Sequence, residues 1–260
     1  MMKIGLVGYG KMGKMIERIA MEKGHSISAI VEPHTNTSII PSGAPVYSDI
    51  ASAILLIESD VVIEFTHPTT ALANIKALAE KKLPVVVGTT GWHDHLDEVS
   101  SLVEKAGTSL LWSSNFSLGV NLFYEIAAFA AMLMDSYTEY DVGGWESHHN
   151  KKADSPSGTA KMLVELVLKQ MTRKTKAVYE TLEHRPPAAE ELHFPSLRVG
   201  SVPGTHTMFF DSPADTIEIT HTARNREGLA SGAVSAAEWL AAAERKGMFT
   251  MQDVMERKGR

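Results

Sequence analysis

The first hydrophobic run, Lys3 to Val7, ends in Gly8-Tyr9-Gly10-Lys11-Met12-Gly13. After it, Met12, Met15, Ile16, Ile19 and Ala20 recur on one face at helical spacing, and Gly24 marks the end of that helix. Ser26 to Val31 reads as a second strand, closed by Glu32-Pro33. Asp60 to Phe65 and Pro84 to Val87 are short runs rich in β-branched residues, the pattern of buried strands. Thr69 to Lys81 between them has helical character, and Ser109 to Trp112 is a further short strand. Strands alternating with helices predict a parallel, doubly wound sheet.

The pattern changes near Asn115. Leu118 to Met134 is a long apolar helix, Tyr140 to His149 a strand entering a loop, and Ala160 to Met171 an amphipathic helix. Lys176 to Leu182, Ser196 to Val202, Thr205 to Asp211 and Asp215 to Thr222 predict strands at close spacing, with a polar loop at Glu183 to Glu191. From Gly228 onward the chain reads as helical and alanine-rich. The expected class is α/β: a Rossmann-type unit plus an α+β region with a mostly antiparallel or mixed sheet.

Gly8, Gly10 and Gly13 form a G-x-G-x-x-G turn with a strand before it and a helix after it. In that context the first glycine permits the turn, the second lets the backbone approach a pyrophosphate, and the third allows close helix–strand packing. The helix N-terminus offers amides to the phosphates. Glu32, nineteen positions past Gly13, can accept hydrogen bonds from ribose hydroxyls. Its charge repels a 2′-phosphate, and Pro33 follows rather than an arginine, which favours NADH; Lys11 keeps NADPH open. Gly88-Thr89-Thr90-Gly91, Ser113-Ser114-Asn115-Phe116 and Phe65-Thr66 fall at C-terminal strand ends, where open α/β sheets bind ligands. Their polar residues serve equally well as turn formers.

Composition narrows the classes. The chain has 260 residues, is 44% hydrophobic and 22% charged, and carries a net charge of −6. A basic surface for nucleic acid is not expected. Without cysteine there are no disulfides or thiolate metal sites. No signal-peptide pattern precedes the first strand and no apolar run has the length of a membrane span, so a cytoplasmic protein is expected.

The densest chemistry lies between Glu146 and Thr159. Ser155 reads as an N-cap and Pro156 as the first helical residue, leaving the amides of Ser157, Gly158 and Thr159 to meet a carboxylate or phosphate. Simple helix capping is the competing account. Just upstream, His148, His149, Lys151 and Lys152 form a cationic cluster. Neighbours on a strand face opposite ways, so one histidine can act as a general acid while the other, with Lys152, holds an anion. A metal is not expected, because adjacent histidines lack the i, i+4 spacing.

The run Glu146-Ser-His148-His149-Asn-Lys-Lys152-Ala-Asp154-Ser-Pro156-Ser157-Gly158-Thr159 resembles the E-x-H-H-x-x-K-x-D-x-P-S-G-T motif of the 4-hydroxy-tetrahydrodipicolinate (dihydrodipicolinate) reductases. Gly8 to Gly13, Phe65-Thr66, the GTTG loop, Asn115-Phe-Ser117, Gly204-Thr-His206-Thr207, Arg226 and Gly232-Ala-Val extend the resemblance along nearly the whole chain. Ser147, Ser155 and Thr205 depart from the family's usual residues. The resemblance implies a dinucleotide-binding domain of residues 1–116 and 225–260, with a substrate-binding and oligomerisation domain of residues 117–224 inserted. It implies that His148 is the catalytic acid and Lys152 a catalytic or substrate-polarising lysine. His149, Ser157, Gly158 and Thr159 would contact a small dicarboxylate. Gly88 to Thr90 and Ser113 to Phe116 would face the nicotinamide, and Tyr9, Met12 and Arg226 would join the cofactor residues. NADH or NADPH and a homotetramer are further implications. Rival readings are an amino-acid dehydrogenase of similar two-domain build and a non-catalytic NAD-binding regulator; neither requires the HHxxK…PSGT run.

Overall fold

A computed structural model describes residues 1–34 and 40–256. The first stretch runs β1 (Lys3–Val7), α1 (Lys11–Glu22), β2 (Ser26–Val31), β3 (Val46–Tyr47), β4 (Val61–Glu64), α2 (Pro68–Glu80), β5 (Val85–Val87), α3 (Leu96–Ala106) and β6 (Ser109–Trp112). The middle holds α4 (Leu118–Met134), β7 (Asp141–His148), α5 (Gly158–Gln170), β8 (Lys176–Val178), β9 (Glu191–His193), β10 (Ser196–Arg198), β11 (Thr205–Asp211) and β12 (Thr216–Thr222). The chain finishes with α6 (Glu227–Ala241), β13 (Gly247–Thr250) and α7 (Met251–Met255). It divides into two compact units, Met1–Ser117 with Glu227–Arg260, and Leu118–Arg226.

The first unit carries a seven-stranded sheet in the order β13-β6-β5-β4-β1-β2-β3. Every neighbouring pair is parallel. β4 and β5 are buried at every residue, which is why they read as unbroken apolar runs rather than alternating ones. Ile4, Leu6, Ile63 and Val86 pack against Ile16 of α1 and Val234 and Ala237 of α6. On the other face Val62, Val85 and Leu110 pack against Ile75 and Leu78 of α2 and Val99 and Val103 of α3. Burying one such Ile, Leu or Val contributes about 1.5–3 kcal/mol. Strand order reverses between β1 and β4. The crevice outside the carboxyl ends there is where such sheets take ligands.

β13 corrects the reading of an all-helical C-terminal stretch. Gly247 to Thr250 pairs with Ser109 to Trp112 of β6 as an edge strand. Four residues carry too little periodicity to be seen without their partner strand. β3 and α3 carry as little signal in the sequence: β3 has two residues, and α3 buries only Val99 and Val103.

The second unit has a four-stranded sheet, β10-β7-β11-β12, and a two-stranded one, β8-β9. β7–β11 and β11–β12 are antiparallel and β10–β7 is parallel. Val142, Met208 and Phe210 of the sheet meet Phe123 and Ala127 of α4 and Leu163, Val164 and Val167 of α5. Register then places the polar residues. Glu146 stands opposite His206 on one side and Ser196 on the other, and Arg198 stands opposite His148.

Candidate active site

In the first unit the glycine turn is held by its geometry. Gly8 has φ +92°, and a Cβ there would lie 2.0 Å from the carbonyl oxygen of Phe65. No residue but glycine fits. A Cβ on Gly10 would meet open space. Gly10 gives α1 no side-chain cap, so the first amides of that helix keep their capacity for an anion. Glu32 turns its carboxylate onto the turn, accepting from the Tyr9 amide at 3.0 Å and the His34 amide at 3.1 Å.

Two adjoining cavities follow from this arrangement. One, of about 600 Å³, is lined by Gly8, Gly10, Glu32, Phe65, Thr66 and Asn74 among others. The other, of about 440 Å³, is lined by Lys11, Met12, Gly88, Thr89 and Thr90, and shares Gly10, Phe65 and Thr66 with the first. The Thr66 amide donates to Thr89 Oγ1 at 2.7 Å, and Trp92 Nε1 donates to the Thr89 carbonyl at 2.9 Å, so the two strand-end loops brace each other. A glycine-floored crevice with an uncapped helix end and a carboxylate at its rim fits a dinucleotide.

Several expected contacts change character. The Tyr9 ring is buried in the core, its hydroxyl donates to Glu17, and its amide is committed to Glu32. Burial pushes the Tyr9 phenol well above its ordinary range, with Glu17 adding to the rise, so it stays neutral. Gly13 packs under Gly8. Phe116 is only 1% exposed, its ring lying 5.9 Å from that of Phe65. These three shape the crevice from beneath rather than presenting side chains to a ligand. Ser113 and Asn115 form a closed turn, the serine hydroxyl donating to the Asn115 carbonyl at 2.8 Å and accepting its amide at 3.1 Å. Ser114 and Arg226 are exposed, and Arg226 is the last residue of the second unit. Neither cavity is lined by residues 113–116 or by Arg226.

In the second unit the site is a side-chain network centred on Glu146, which is wholly buried. Glu146 Oε1 accepts from the Ser157 amide at 3.0 Å, the Ser196 hydroxyl at 2.7 Å and Arg198 at 2.9 Å. Oε2 accepts from the Ser157 hydroxyl and faces His206 Nε2 at 3.3 Å and His148 Nε2 at 3.4 Å. Burial pushes this carboxyl up, but hydrogen bonds from His148, His206, Ser157 and Ser196 outweigh it and hold the group well below the usual carboxylate range. Burial pushes His206 down, against the pull of Glu146. His148 Nδ1 sits 3.1 Å from the Pro203 carbonyl, an acceptor only, so that nitrogen carries a proton. Its Nε2 lies 3.4 Å from His206 Nε2. A Cβ on Gly204 would lie 2.7 Å from the His148 ring, so this seat for the imidazole requires glycine.

The helix start differs from expectation. Ser157, not Ser155, is the N-cap, with its hydroxyl accepting from the Ala160 amide at 3.0 Å, and α5 begins at Gly158. The Ser157 amide and hydroxyl both meet Glu146, so Ser157 ties the start of the helix to the buried carboxylate. Gly158 keeps open space around its α-carbon. Lys152 pairs with Asp154 at 2.8 Å, which lowers that carboxyl. His149 has a buried Nδ1 with no partner among the described residues. Ligand atoms of Glu146, His148 and His206 lie within 4.8 Å of one another, close enough to share an ion. Arg198 bonds the same carboxylate, and its charge opposes a cation there.

The family model for the N-terminal part of dihydrodipicolinate reductase matches residues 2–116, and that for the C-terminal part matches residues 119–255. The chain belongs to the dihydrodipicolinate reductase family. A 4-hydroxy-tetrahydrodipicolinate reductase of Christiangramia forsetii is 37% identical over 98% of both chains. One of Archaeoglobus fulgidus is 35% identical over 95% of this chain and 96% of its own. A dipicolinate-bound dihydrodipicolinate reductase from Paenisporosarcina sp. TG-14 superposes with a TM-score of 0.79 at 23% identity, covering 96% of this chain and 97% of its own, and so shares the fold.

Within this dihydrodipicolinate reductase fold, Ser196, Arg198, Pro203 and His206 join the site without having been given roles by sequence reasoning. One signal was available. Glu146 and His148 are two apart on a strand and therefore share a face. Arg198 and Ser196 carry no such signal, because only the β10–β7 register brings them to Glu146.

Proposed function

We propose that this chain reduces 4-hydroxy-tetrahydrodipicolinate to tetrahydrodipicolinate with loss of water, using NAD(P)H, in lysine and diaminopimelate biosynthesis. The observation that carries the reading is the relative of that activity, 37% identical over 98% of both chains. The Glu146–Thr159 geometry supplies the matching chemistry. The first unit, residues 1–116 with the C-terminal segment, holds the dinucleotide; the inserted unit holds the substrate.

When bound, the reduced nicotinamide supplies a hydride. The chain's own residues do the rest. The backbone at Gly8 and Gly10 and the first amides of α1 receive the pyrophosphate. Glu32 accepts from the adenosine ribose, and Lys11 lines the other cavity, which supports NADH over NADPH. Gly158 and Thr159 at the start of α5 receive one substrate carboxylate, with His149 and Lys152 on the charge. Substrate binding competes with Asp154 for Lys152. His148 supplies the proton that accompanies hydride addition. Both its ring nitrogens face protein groups in this conformation, so delivery requires the ring to turn out of that seat.

A homotetramer joined through the second unit belongs to the same proposal. Phe129 on α4 and Leu197 on β10 are 58% and 54% exposed, large apolar side chains that an interface would cover. A cytoplasmic location is also part of it. The direct test is NADH or NADPH oxidation with substrate freshly generated from aspartate semialdehyde and pyruvate. Turnover is expected, faster with NADH; no turnover with either overturns the proposal.

A further inference from the structure

Glu64, the last residue of β4, is a buried acid to which the proposed mechanism gives no task. It is 0% exposed. Its contacts are uncharged. Asn74 Nδ2 of α2 approaches Oε1 at 3.2 Å, the Thr66 hydroxyl makes a short contact with the same oxygen, and Thr89 lies alongside. Oε2 is buried with no partner among the described residues.

The protons around Thr66 bear on the state of this acid. The Thr70 hydroxyl lies 3.0 Å from the His67 carbonyl, which can only accept, so Thr70's one proton is committed there. The Thr66–Thr70 contact of 3.1 Å, in which either hydroxyl can donate, is then completed by the proton of Thr66. Asn74 Nδ2 donates to Thr66 Oγ1 at 3.2 Å and fills one of its two acceptor positions. What remains on Thr66 Oγ1 is an acceptor position, and it faces Glu64 Oε1. We propose that Glu64 is a neutral carboxylic acid that donates its proton to Thr66 and so positions the two strand-end loops facing the dinucleotide.

Two further observations agree. An ionised oxygen buried without a donor, as Oε2 would be, is costly, whereas the carbonyl oxygen of a neutral acid tolerates the same place far better. Burial pushes the Glu64 carboxyl up, against weaker opposing pulls from Thr66, Thr89 and Asn74. The titratable groups on the elements packed around it are occupied elsewhere. His67 caps α2 through Thr69, Glu32 holds the Tyr9 and His34 amides, and Lys76 pairs with Glu98.

The consequence runs through Thr66. Its side chain is set by Glu64, its amide donates to Thr89 Oγ1, and it lines both cavities. Glu64 is therefore a positioning residue, acting on the ligand only through Thr66 and Thr89. The inference rests on reading these cavities as the dinucleotide site.

The first measurement needs no ligand. The infrared spectrum of the full-length protein at neutral pH should show the carbonyl stretch of a protonated carboxylic acid that Glu64→Gln lacks; its absence overturns the proposal whatever the cavity binds. The second is NADH affinity by fluorescence titration. Glu64→Gln, which keeps a neutral donor, should bind within about twofold of the parent, while Glu64→Ala and Thr66→Val should each weaken binding about five- to tenfold, the scale of one lost hydrogen bond. Their KM for the dicarboxylate should stay unchanged, which general loosening of the fold would not allow. Gln weakening binding as much as Ala overturns the proposal, because a charge would then be required. As pH is raised, affinity should fall only where the infrared band fades; a band that fades with affinity intact overturns the link to Thr66.

Discussion

The two units build their polar sites from different material. In the first, the ligand-facing chemistry is mostly backbone: a left-handed Gly8, an open Gly10, uncapped amides at the start of α1, and loops at strand ends. In the second the polar network behind the start of α5 is side chains, with Glu146 holding Ser157, Ser196, Arg198, His148 and His206 in one buried cluster. A backbone site tolerates changes of side chain except where a Cβ cannot fit. A side-chain cluster fails when its centre is removed, because each partner is left buried and unsatisfied. The difference also sets the chemistry: fixed amides suit a phosphate that only has to be held, whereas a proton donor must be a side chain that can change state.

The hardest break is at the proposed proton donor. His148→Ala should lower kcat by roughly 10²–10⁴ with little change in the KM for NADH, as loss of a general acid does. Single-turnover NADH oxidation measures it, and an unchanged rate removes His148 from that role.

Next is the centre of the cluster. Glu146→Ala should cost about 3–5 kcal/mol of stability, the scale of removing one partner from a buried ion pair. Urea unfolding at neutral pH reads it. Because the folded carboxyl sits below its ordinary value of 4.5, its contribution is fully present above that pH and is lost as pH falls toward the depressed folded value. Glu146→Gln should flatten that acid-side loss. A parent protein whose stability ignores pH below the usual carboxylate range would show that the cluster does not hold a charge.

What was legible in the chain follows the same division. The alternation of strands and helices, the glycine turn and Glu32 are local, so Lys3 to Val7, Ser26 to Val31 and Ser109 to Trp112 read as the strands they are. The glycine spacing, set between a strand and a helix, announces a backbone site. The Glu146 cluster was half visible. His148 and Glu146 lie in one motif, but Arg198 and His206 are placed by register between strands far apart in the chain, and no local pattern encodes register. The error at Ser155 has a local cause. Ser155-Pro156 matched the cap preference, but the chain uses Ser157, whose hydroxyl caps α5 while its amide and hydroxyl both meet Glu146. The tertiary partner decided between two acceptable serines.

A smaller break tests the backbone site itself. Gly8→Ala forces a left-handed residue with its Cβ 2.0 Å from the Phe65 oxygen. About 1–3 kcal/mol of strain is expected, with NADH affinity falling more than affinity for the dicarboxylate. Calorimetric titration of each ligand separates the two; equal losses would mean that the turn serves the fold and not the dinucleotide.

The finest distinction lies at the charged side chain on the rim of the backbone site. Glu32 accepts the Tyr9 and His34 amides and stands at the rim of the larger cavity, while Lys11 lines the other. A 2′-phosphate there would meet a carboxylate with no compensating arginine among the described residues that line the cavity. Glu32→Ser removes the charge, and the ratio of kcat/KM for NADPH to that for NADH should rise about tenfold, since like-charge repulsion is relieved. The lost hold on the Tyr9 amide should weaken both dinucleotides together, so the ratio, not either constant, is the readout. A ratio that stays put would move cofactor discrimination off Glu32, and would make the first unit's site a backbone device throughout, with its selectivity set elsewhere on the rim.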